Sequence, residues 1–532
     1  MTVRSRPPVA EGRIPAISPQ PFRTYVETVL DGLAPDRPVI VGGGRRWTAR
    51  EFRSLVHRLT RALAELGIGR GTHVTVLSGN LVETVAARYA VNLLGASYNH
   101  LYNRLSADVQ AMMVRDVETS VLLVDPLLSA RAAQIVASAP VAHVLRLGPA
   151  PKGGLAVGED LLALAEGRGD EPVASPARPG DLCMIRHSGG TTGHPKGVRS
   201  TFGRMRHTEQ MRELFVGEAP RDLVCTPISH AAGFIADGTL AAGGTVVLHY
   251  DFDPARILAT IARERITHMM LLPPLLYQVL DHPDADRADT SSLKQVTYGG
   301  TPSSPSRTAD AVRRFGRIFQ QSYGQFEAGA VTLLPAHEHD PDRPDVLRTA
   351  GRVLPGVDVE IRDPDGKVVP DGEVGEICVR GPDMMEGYWK DPELTARTLV
   401  DGWMHTGDLG KLGENGYLTV VDRVRDMIAV VGGHVYTVEL EDFLTTHPQI
   451  LQAAVYGVRD REGPERVHAA VVLAPGSTLT ADGLRALVRN GRGPMYEPDH
   501  VHLTDALPLT DAGKPDKKHL RRQAAEERST RP

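Results

Sequence analysis

The residues with the most evident chemistry lie between Ser188 and Gly197, in the run SGGTTGHPKG. Glycine at Gly189, Gly190 and Gly193 lets backbone N–H groups turn inward with no side chain in the way, while Ser188, Thr191 and Thr192 add hydroxyl donors and Lys196 adds a cation. Such an array holds phosphate oxygens. It is not a Walker A loop, which needs adjacent Gly and Lys followed by Ser or Thr, because Pro195 stands between Gly193 and Lys196, and Gly197 follows the lysine. Glycine and proline at this density are poor material for a helix or strand interior, so the run is a loop. A flexible linker is the alternative reading, and the Pro-Lys-Gly close speaks against it.

A phosphate loop needs rigid flanks. Leu182 to Ile185 is a short apolar run that reads as the strand launching it. Upstream, Thr48 with Glu51 three residues on forms a capping box, and Phe52, Leu55, Val56, Leu59, Leu63 and Leu66 recur at helical spacing until Gly67. Val74 to Leu77, Val121 to Val124 and Val144 to Leu147 read as buried strands, with a helical stretch around Ala130 to Ala137. Downstream, Thr245 to Leu248, His268 to Leu272 and Gln295 to Tyr298 are strands, and Asp253-Pro254 opens a helix with Ile257, Leu258 and Ile261 on one face. This alternation predicts an α/β protein of doubly wound parallel sheets covered by helices.

Near Gly356 the texture changes. Val357, Val359 and Ile361 alternate, Asp363 to Gly366 supplies a turn, and Val374, Ile377 and Val379 continue, which predicts antiparallel sheet or a small β-barrel over about residues 340–424. Strands near Ala453 to Val458 and His468 to Leu473, with a helical stretch from Thr480 to Val488, form a last block. It is expected to be a smaller α+β domain over 425–532, after an N-terminal domain of 1–424. Lys152 to Gly180 reads as a surface connection, the first residues as an irregular arm, and everything from Lys517 on as a solvated charged tail.

Composition sets the outer bounds. A chain of 532 residues exceeds one hydrophobic core, so two or more domains are expected. With 60 basic against 65 acidic residues, the net charge of -5 gives no global attraction to nucleic acid or an anionic membrane. Cys183, Cys225 and Cys378 lie far apart without metal-binding spacing and read as small buried residues of a reducing compartment, the cytoplasm. No apolar stretch is long enough to span a bilayer, and neither a secretory leader nor a membrane span is expected.

Further stretches carry polar groups that a core has no use for: PISHAAG from Pro227, YGGTP from Tyr298, YGQFE from Tyr323, GYW from Gly387, GWMHTGD from Gly402, DRVRD from Asp422 and PLTDAGK from Pro508. With the glycine-rich loop, and in this order, they make the chain resemble the adenylate-forming superfamily of acyl-CoA synthetases, luciferases and nonribosomal adenylation domains, from about Thr48 to Lys514. The resemblance implies a large ATP- and acyl-binding domain and a mobile C-terminal lid hinged at Arg425. It implies that a carboxylate attacks the α-phosphorus of ATP, pyrophosphate leaves, and the acyl adenylate passes to a second nucleophile, usually the thiol of coenzyme A. Positioning and charge stabilisation are what this chemistry asks of a protein.

By the same resemblance, the loop from Ser188 to Lys196 holds the β- and γ-phosphates and Glu327 ligates Mg2+. Tyr323 lies against the adenine, framed by Gly300, Thr301 and Pro302, with Gln321 also in the ATP site; Asp408 accepts from the ribose hydroxyls, with Arg423 beside it. Lys514 enters from the lid to bridge the acyl carboxylate and the α-phosphate. His230 stands between the acyl pocket and the route of the thiol, and that pocket is lined by His230, Ala231, Ala232, Phe234, Tyr298, Gly299, Thr301, Ala328, Gly329 and Ala330. Taken singly, Lys514 or Asp408 would read as turn residues and Glu327 as a first-turn helix acid; the ordered set is what lifts them.

Departures bear on the second half-reaction. Phe326 occupies the place of a family threonine that can bond the α-phosphate, and Gly189 stands where serine is common. In the lid, Gly432 is retained, but His434 replaces asparagine, Thr437 replaces proline, and Arg425 takes a hinge position usually given to Lys or Asp. The expected activity is ATP-dependent ligation of an aromatic or medium-size carboxylic acid to coenzyme A. The alternatives are an adenylating enzyme with another acceptor (a carrier protein or an amine) or an inorganic acid such as nitrite, and a nucleotide-binding sensor without catalysis. A homodimer stays open.

Overall fold

The capping box at Thr48 forms in the computed structural model, which describes residues 22–103, 105–188, 195–207, 219–413, 415–424, 426–430, 433–459, 465–510 and 513–529. Thr48 Oγ1 accepts from the Glu51 amide while the Glu51 carboxylate takes the Thr48 N–H at 2.8 Å, and the helix Ala49–Glu65 behind them buries Phe52, Val56, Leu59 and Leu63. Its neighbour Val82–Leu93 is buried at every position except Glu83. A helix covered all round must lie inside the protein, and one apolar cluster joins both helices to strand residues Val39, Ile40 and Val246 of one sheet and Val74, Val76 and Val121 of another.

The seven-stranded sheet runs in the order Glu159–Asp160, His143–Arg146, Val121–Val124, His73–Leu77, Ser97–His100, Leu182–Ser188, Lys196–Thr201. All its pairs are parallel except the last, where Leu182–Ser188 meets Lys196–Thr201 antiparallel with Ser188 opposite Lys196. The strands that flank the glycine-rich run thus pair with each other, and a strand, not a helix, follows it. A nine-stranded sheet has a parallel centre, in which Thr245–Leu248, Arg221–Val224, His268–Leu271, Gln295–Gly299 and Phe319–Gln325 follow one another, and antiparallel edges. The strand after the change of texture is antiparallel as expected: Asp358–Arg362, Gly375–Arg380, Leu399–Val400, Trp403–Leu412 and Leu418–Arg423 make a five-stranded sheet.

The C-terminal unit holds a two-stranded ribbon, a three-stranded sheet of Ile450–Arg459, Glu465–Leu473 and His500–Leu503, and covering helices. The expectation of a solvated tail fails here. Lys517–Ser529 is a helix that buries Leu520 and Ala524, four residues apart on one face, against Tyr456 and Val458. Lys517 itself is tied down, donating to Thr437 Oγ1 at 2.7 Å and pairing with Glu441 at 2.8 Å. Thr437, where the family has proline, uses the N–H that proline lacks: it donates to Asp422, and its hydroxyl donates to the same carboxylate at 3.1 Å.

This unit touches the large domain through Thr445, whose hydroxyl donates to Ser304 Oγ and whose carbonyl accepts from Ser306 Oγ, both at 3.1 Å, and through Arg348 and Asp442 at 3.6 Å. At the tip, Gly513 (φ +76°) lies over Leu275, so a Cβ there would stand 3.4 Å from it. Among the described residues no helix is long and apolar enough to cross a membrane. Because Leu520 is buried in the small cluster that seats the last helix, Leu520→Ala should destabilise the C-terminal unit by about 2–5 kcal/mol, read from the urea unfolding of the full chain. An unchanged midpoint would return this helix to the status of a solvated tail.

Candidate active site

Three strands meet at Asp408. Its carboxylate is buried, and Oδ2 accepts from the Tyr323 hydroxyl at 2.8 Å and from Gln325 Nε2 at 2.6 Å, while Arg423 Nε approaches Oδ1 at 3.3 Å. The strand register explains the convergence. Asp408 and Arg423 are cross-strand partners, and Tyr323 and Gln325, two apart, share one face of Phe319–Gln325. The turn below is set by Gly407 at φ +69°, whose N–H donates to Glu376 Oε1 at 2.9 Å; His405 Nδ1 holds the other oxygen of Glu376 at 2.8 Å. Burial and the neighbouring carboxylate push the Tyr323 phenol well above its ordinary range, so it stays a donor.

Lys196 faces the ring of Tyr388 at 5.6 Å, and the Tyr388 hydroxyl donates to Glu327 Oε1 at 3.2 Å. Backbone pairing puts them there. The GYW segment runs along the hairpin strand, with Arg199 N donating to Gly387 O at 3.1 Å and Trp389 N to Gly197 O at 2.7 Å. Glu327 is a buried hard-oxygen donor with one oxygen engaged by Tyr388. A single carboxylate of this kind suits Mg2+, which is commonly held by one or two carboxylates together with substrate phosphates.

His230 caps the helix Ala231–Ala241 and shares a hydrogen bond with Ser229 Oγ at 3.0 Å. Its ring lies against Tyr102, with centroids 4.2 Å apart, and 6.1 Å from Phe326. Burial pushes its pKa down to about 3, helped by the positive charges of Lys514, His100 and Arg186, so it is neutral at ordinary pH. Lys514, from the C-terminal unit, is near enough to His230 to act on its charge. Beside them lies a narrow cavity lined by His230, Phe234 and Gly233, by Tyr98, His100 and Met184, and by Arg88, Arg186, Ile228 and Ser229.

Tyr323, Asp408 and Arg423 come together. Thr301 has a buried hydroxyl with no partner among the described residues, next to Gly300 at φ +77°. The acyl-pocket expectation needs correction. Tyr298 is fully buried in the core of the nine-stranded sheet and donates to Gln321 Oε1 at 3.2 Å, with His339 Nε2 at 2.9 Å. Any side chain at Gly299 would strike the carbonyl of Ser322, Ala328 packs under the five-stranded sheet, and a Cβ at Gly329 would meet Asp383, so these glycines and Ala328 answer to backbone packing. His434 is exposed in the strand Gly433–Val435. Gly189, Gly190, Thr191, Thr192, Gly193, Arg425 and Gly432 lie outside the described residues, as does the Ser188 side chain. Gln325, Tyr388, Tyr98 and Arg186 were not singled out from the sequence; the two-residue spacing from Tyr323 is a signal that could have found Gln325.

The chain matches the model of the AMP-binding enzyme family over residues 32–389 and that of the AMP-binding enzyme C-terminal domain over residues 439–514. It is 38% identical to a medium/long-chain-fatty-acid–CoA ligase, FadD8, of Mycobacterium tuberculosis, covering 91% of this chain and 87% of that one. It is 34% identical to a feruloyl-CoA synthase of an Amycolatopsis species, covering 92% and 96%. Among solved structures, the amide bond synthetase McbA of Marinactinospora thermotolerans superposes with a TM-score of 0.85 at 38% identity, covering 94% of this chain and 99% of that one.

Two expectations follow from the geometry. Asp408→Asn, which loses the charge that Tyr323, Gln325 and Arg423 converge on, should weaken ATP binding roughly 10- to 100-fold by calorimetry, the range of a lost charged hydrogen bond; unaltered affinity would remove Asp408 from the nucleotide site. His230, depressed from an ordinary 6.5 to about 3, refuses a proton that the unfolded chain takes up, so it lowers stability progressively as pH falls below that ordinary value and contributes no titration near neutrality. The pH–rate profiles of the wild type and His230→Asn should thus share the same acid limb between about pH 5 and 7, and an inflection lost with the imidazole would contradict it. With both family models matched along the chain and the fold of its relatives reproduced, this chain belongs to the AMP-binding enzymes, the adenylate-forming superfamily, and is an AMP-forming ligase.

Proposed function

We propose that the protein adenylates a carboxylic acid of aromatic or medium size with ATP and Mg2+, releases pyrophosphate, and passes the acyl group to coenzyme A. The buried Asp408 carboxylate, held by Tyr323, Gln325 and Arg423, carries this reading, and Lys514, from the 425–532 lid, acts electrostatically on the neutral His230 that lines a cavity of the large domain. A cation delivered there meets the negative charge that builds as the carboxylate attacks phosphorus, and a preorganised donor at such a point is worth on the order of 3–4 kcal/mol. Asp408, with Oδ2 taken by Tyr323 and Gln325, presents Oδ1 to the ribose hydroxyls. The loop from Ser188 to Lys196 cradles the outer phosphates, and Glu327, oriented by Tyr388, is the residue that would hold Mg2+, which when bound neutralises phosphate charge. His230, uncharged, leaves the acyl carbonyl approachable by a thiol. The curated relatives named as CoA ligases support the thiol acceptor.

A second reading keeps adenylation and changes the acceptor to an amine. It is favoured by the match to an amide bond synthetase at 38% identity and by Phe326, His434 and Thr437 at positions where the family pattern differs. One assay separates the two: pyrophosphate release across a panel of acids, with coenzyme A or with an amine, for the wild type and Lys514→Ala. The first reading expects a thioester with coenzyme A, and a 10²- to 10³-fold slower pyrophosphate release in the variant, about 3–4 kcal/mol. Pyrophosphate with amide and no thioester selects the second, and no release with any acid sinks both.

A further inference from the structure

One cation in the cavity is left over. Arg186 projects from the strand Leu182–Ser188 with its guanidinium between the rings of Phe234 and Phe326, 4.4 Å from each centroid. Its Nε is buried without a hydrogen bond, and among the described residues no carboxylate forms an ion pair with it. The contrast with Arg88, on the same cavity wall, is direct: Arg88 is paired at 2.9 Å with the buried Asp237. Burial lowers the Arg186 pKa to about 10 and Arg204 adds like charge, while Tyr98, Glu327 and Tyr102 act against them from beyond ion-pair distance. A cation so placed costs the free protein stability unless an anion joins it. Two aromatic faces hold the planar group but offer its Nε–H no acceptor.

The rest of the wall supplies no carboxylate. Tyr98, Met184, Ile228, Gly233 and Phe234 give it an apolar and aromatic side, Ser229 and the imidazoles of His100 and His230 are its uncharged polar groups, and the gap left between the side chains has room for about one water molecule. An acyl group that enters must therefore meet Arg186 and part the two phenyl rings. Polar groups fixed in an otherwise apolar pocket set specificity, because a substrate that leaves them unpaired is rejected far more strongly than one of the wrong size.

We propose that Arg186 is the residue that selects the acyl group, and that the favoured substrate carries, at the end remote from the carboxylate that is adenylated, a second carboxylate that forks onto this guanidinium. This deepens the ligase reading and rests on it for the identity of the cavity. The cavity is lined by Arg186 and Phe234 and not, among the described residues, by Lys514, and this separation sets a role at the acyl end apart from one at the reacting centre.

The test uses two matched pairs, terephthalate with its monomethyl ester and adipate with its monomethyl ester, against the full-length wild type, Arg186→Met and Arg186→Lys. Calorimetric binding and pyrophosphate release are both measured. The wild type should prefer the diacid of at least one pair by tenfold or more in both readouts. Arg186→Met should abolish or invert that preference, Arg186→Lys should keep part of it, and the methionine variant, freed of an unpaired buried charge, should melt no lower than the wild type. An equal preference in wild type and Arg186→Met overturns the proposal, as does a uniform fall in pyrophosphate release for both members of a pair, which would place Arg186 at the reacting carboxylate. Arg186-dependent binding of a diacid without pyrophosphate from any acid would keep the assignment and sink the ligase reading instead.

Discussion

The buried carboxylate of Asp408 is the point on which the architecture turns. It draws donors from Tyr323 and Gln325 on the last parallel strand of the nine-stranded sheet and from Arg423 on the neighbouring strand of the five-stranded sheet. One charge thereby joins two sheets of different origin and fixes where the second of them ends. The chain leaves for the C-terminal unit directly after Arg423, and Asp422, one residue earlier, is bonded to Thr437 of that unit. The Asp408 cluster and the anchoring of the C-terminal unit are consequently tied to the same strand end. A buried carboxylate is tolerated only when its lone pairs are used, and here the protein uses most of them and leaves one oxygen edge to a ligand.

A second constraint is the distribution of positive charge. Lys514 and Arg186 both bear on His230, and the imidazole answers by staying neutral. Lys196 is set apart from them, beside Tyr388 and Glu327, at the mouth of the hairpin. The cations thus stand at separate points, Lys196 beside Tyr388 and Arg186 between the rings of Phe234 and Phe326. Electrostatics of this kind acts by preorganisation, since the groups are held in place by strands and helix ends before any ligand arrives.

Much of this was legible in the chain itself. Strands such as Val121–Val124 and Thr245–Leu248, and the cap at Thr48, announce themselves through local pattern, and the ordered motifs mark the site residues that the fold then gathers. The helix Val82–Leu93 was silent because it is buried all round and has no polar stripe to set a period. Tyr298 was misplaced because a strand covered on both faces does not reveal which way a given side chain points. Tyr388 owes its position to pairing between segments nearly two hundred residues apart, Val198 with Tyr388, which no window of sequence contains. The last helix buries only Leu520 and Ala524 among many charges, too sparse a stripe to separate from a solvated tail.

The account stands on one covalent event, the attack of a carboxylate oxygen on the α-phosphorus of ATP at the meeting point of Lys514 and His230. Incubation with an acid labelled with oxygen-18 in its carboxyl group, followed by mass spectrometry of the nucleotide after acyl transfer, tests that event directly. The mechanism predicts that AMP leaves with one labelled oxygen on its phosphate. Unlabelled AMP, or label appearing in inorganic phosphate beside ADP, would contradict it.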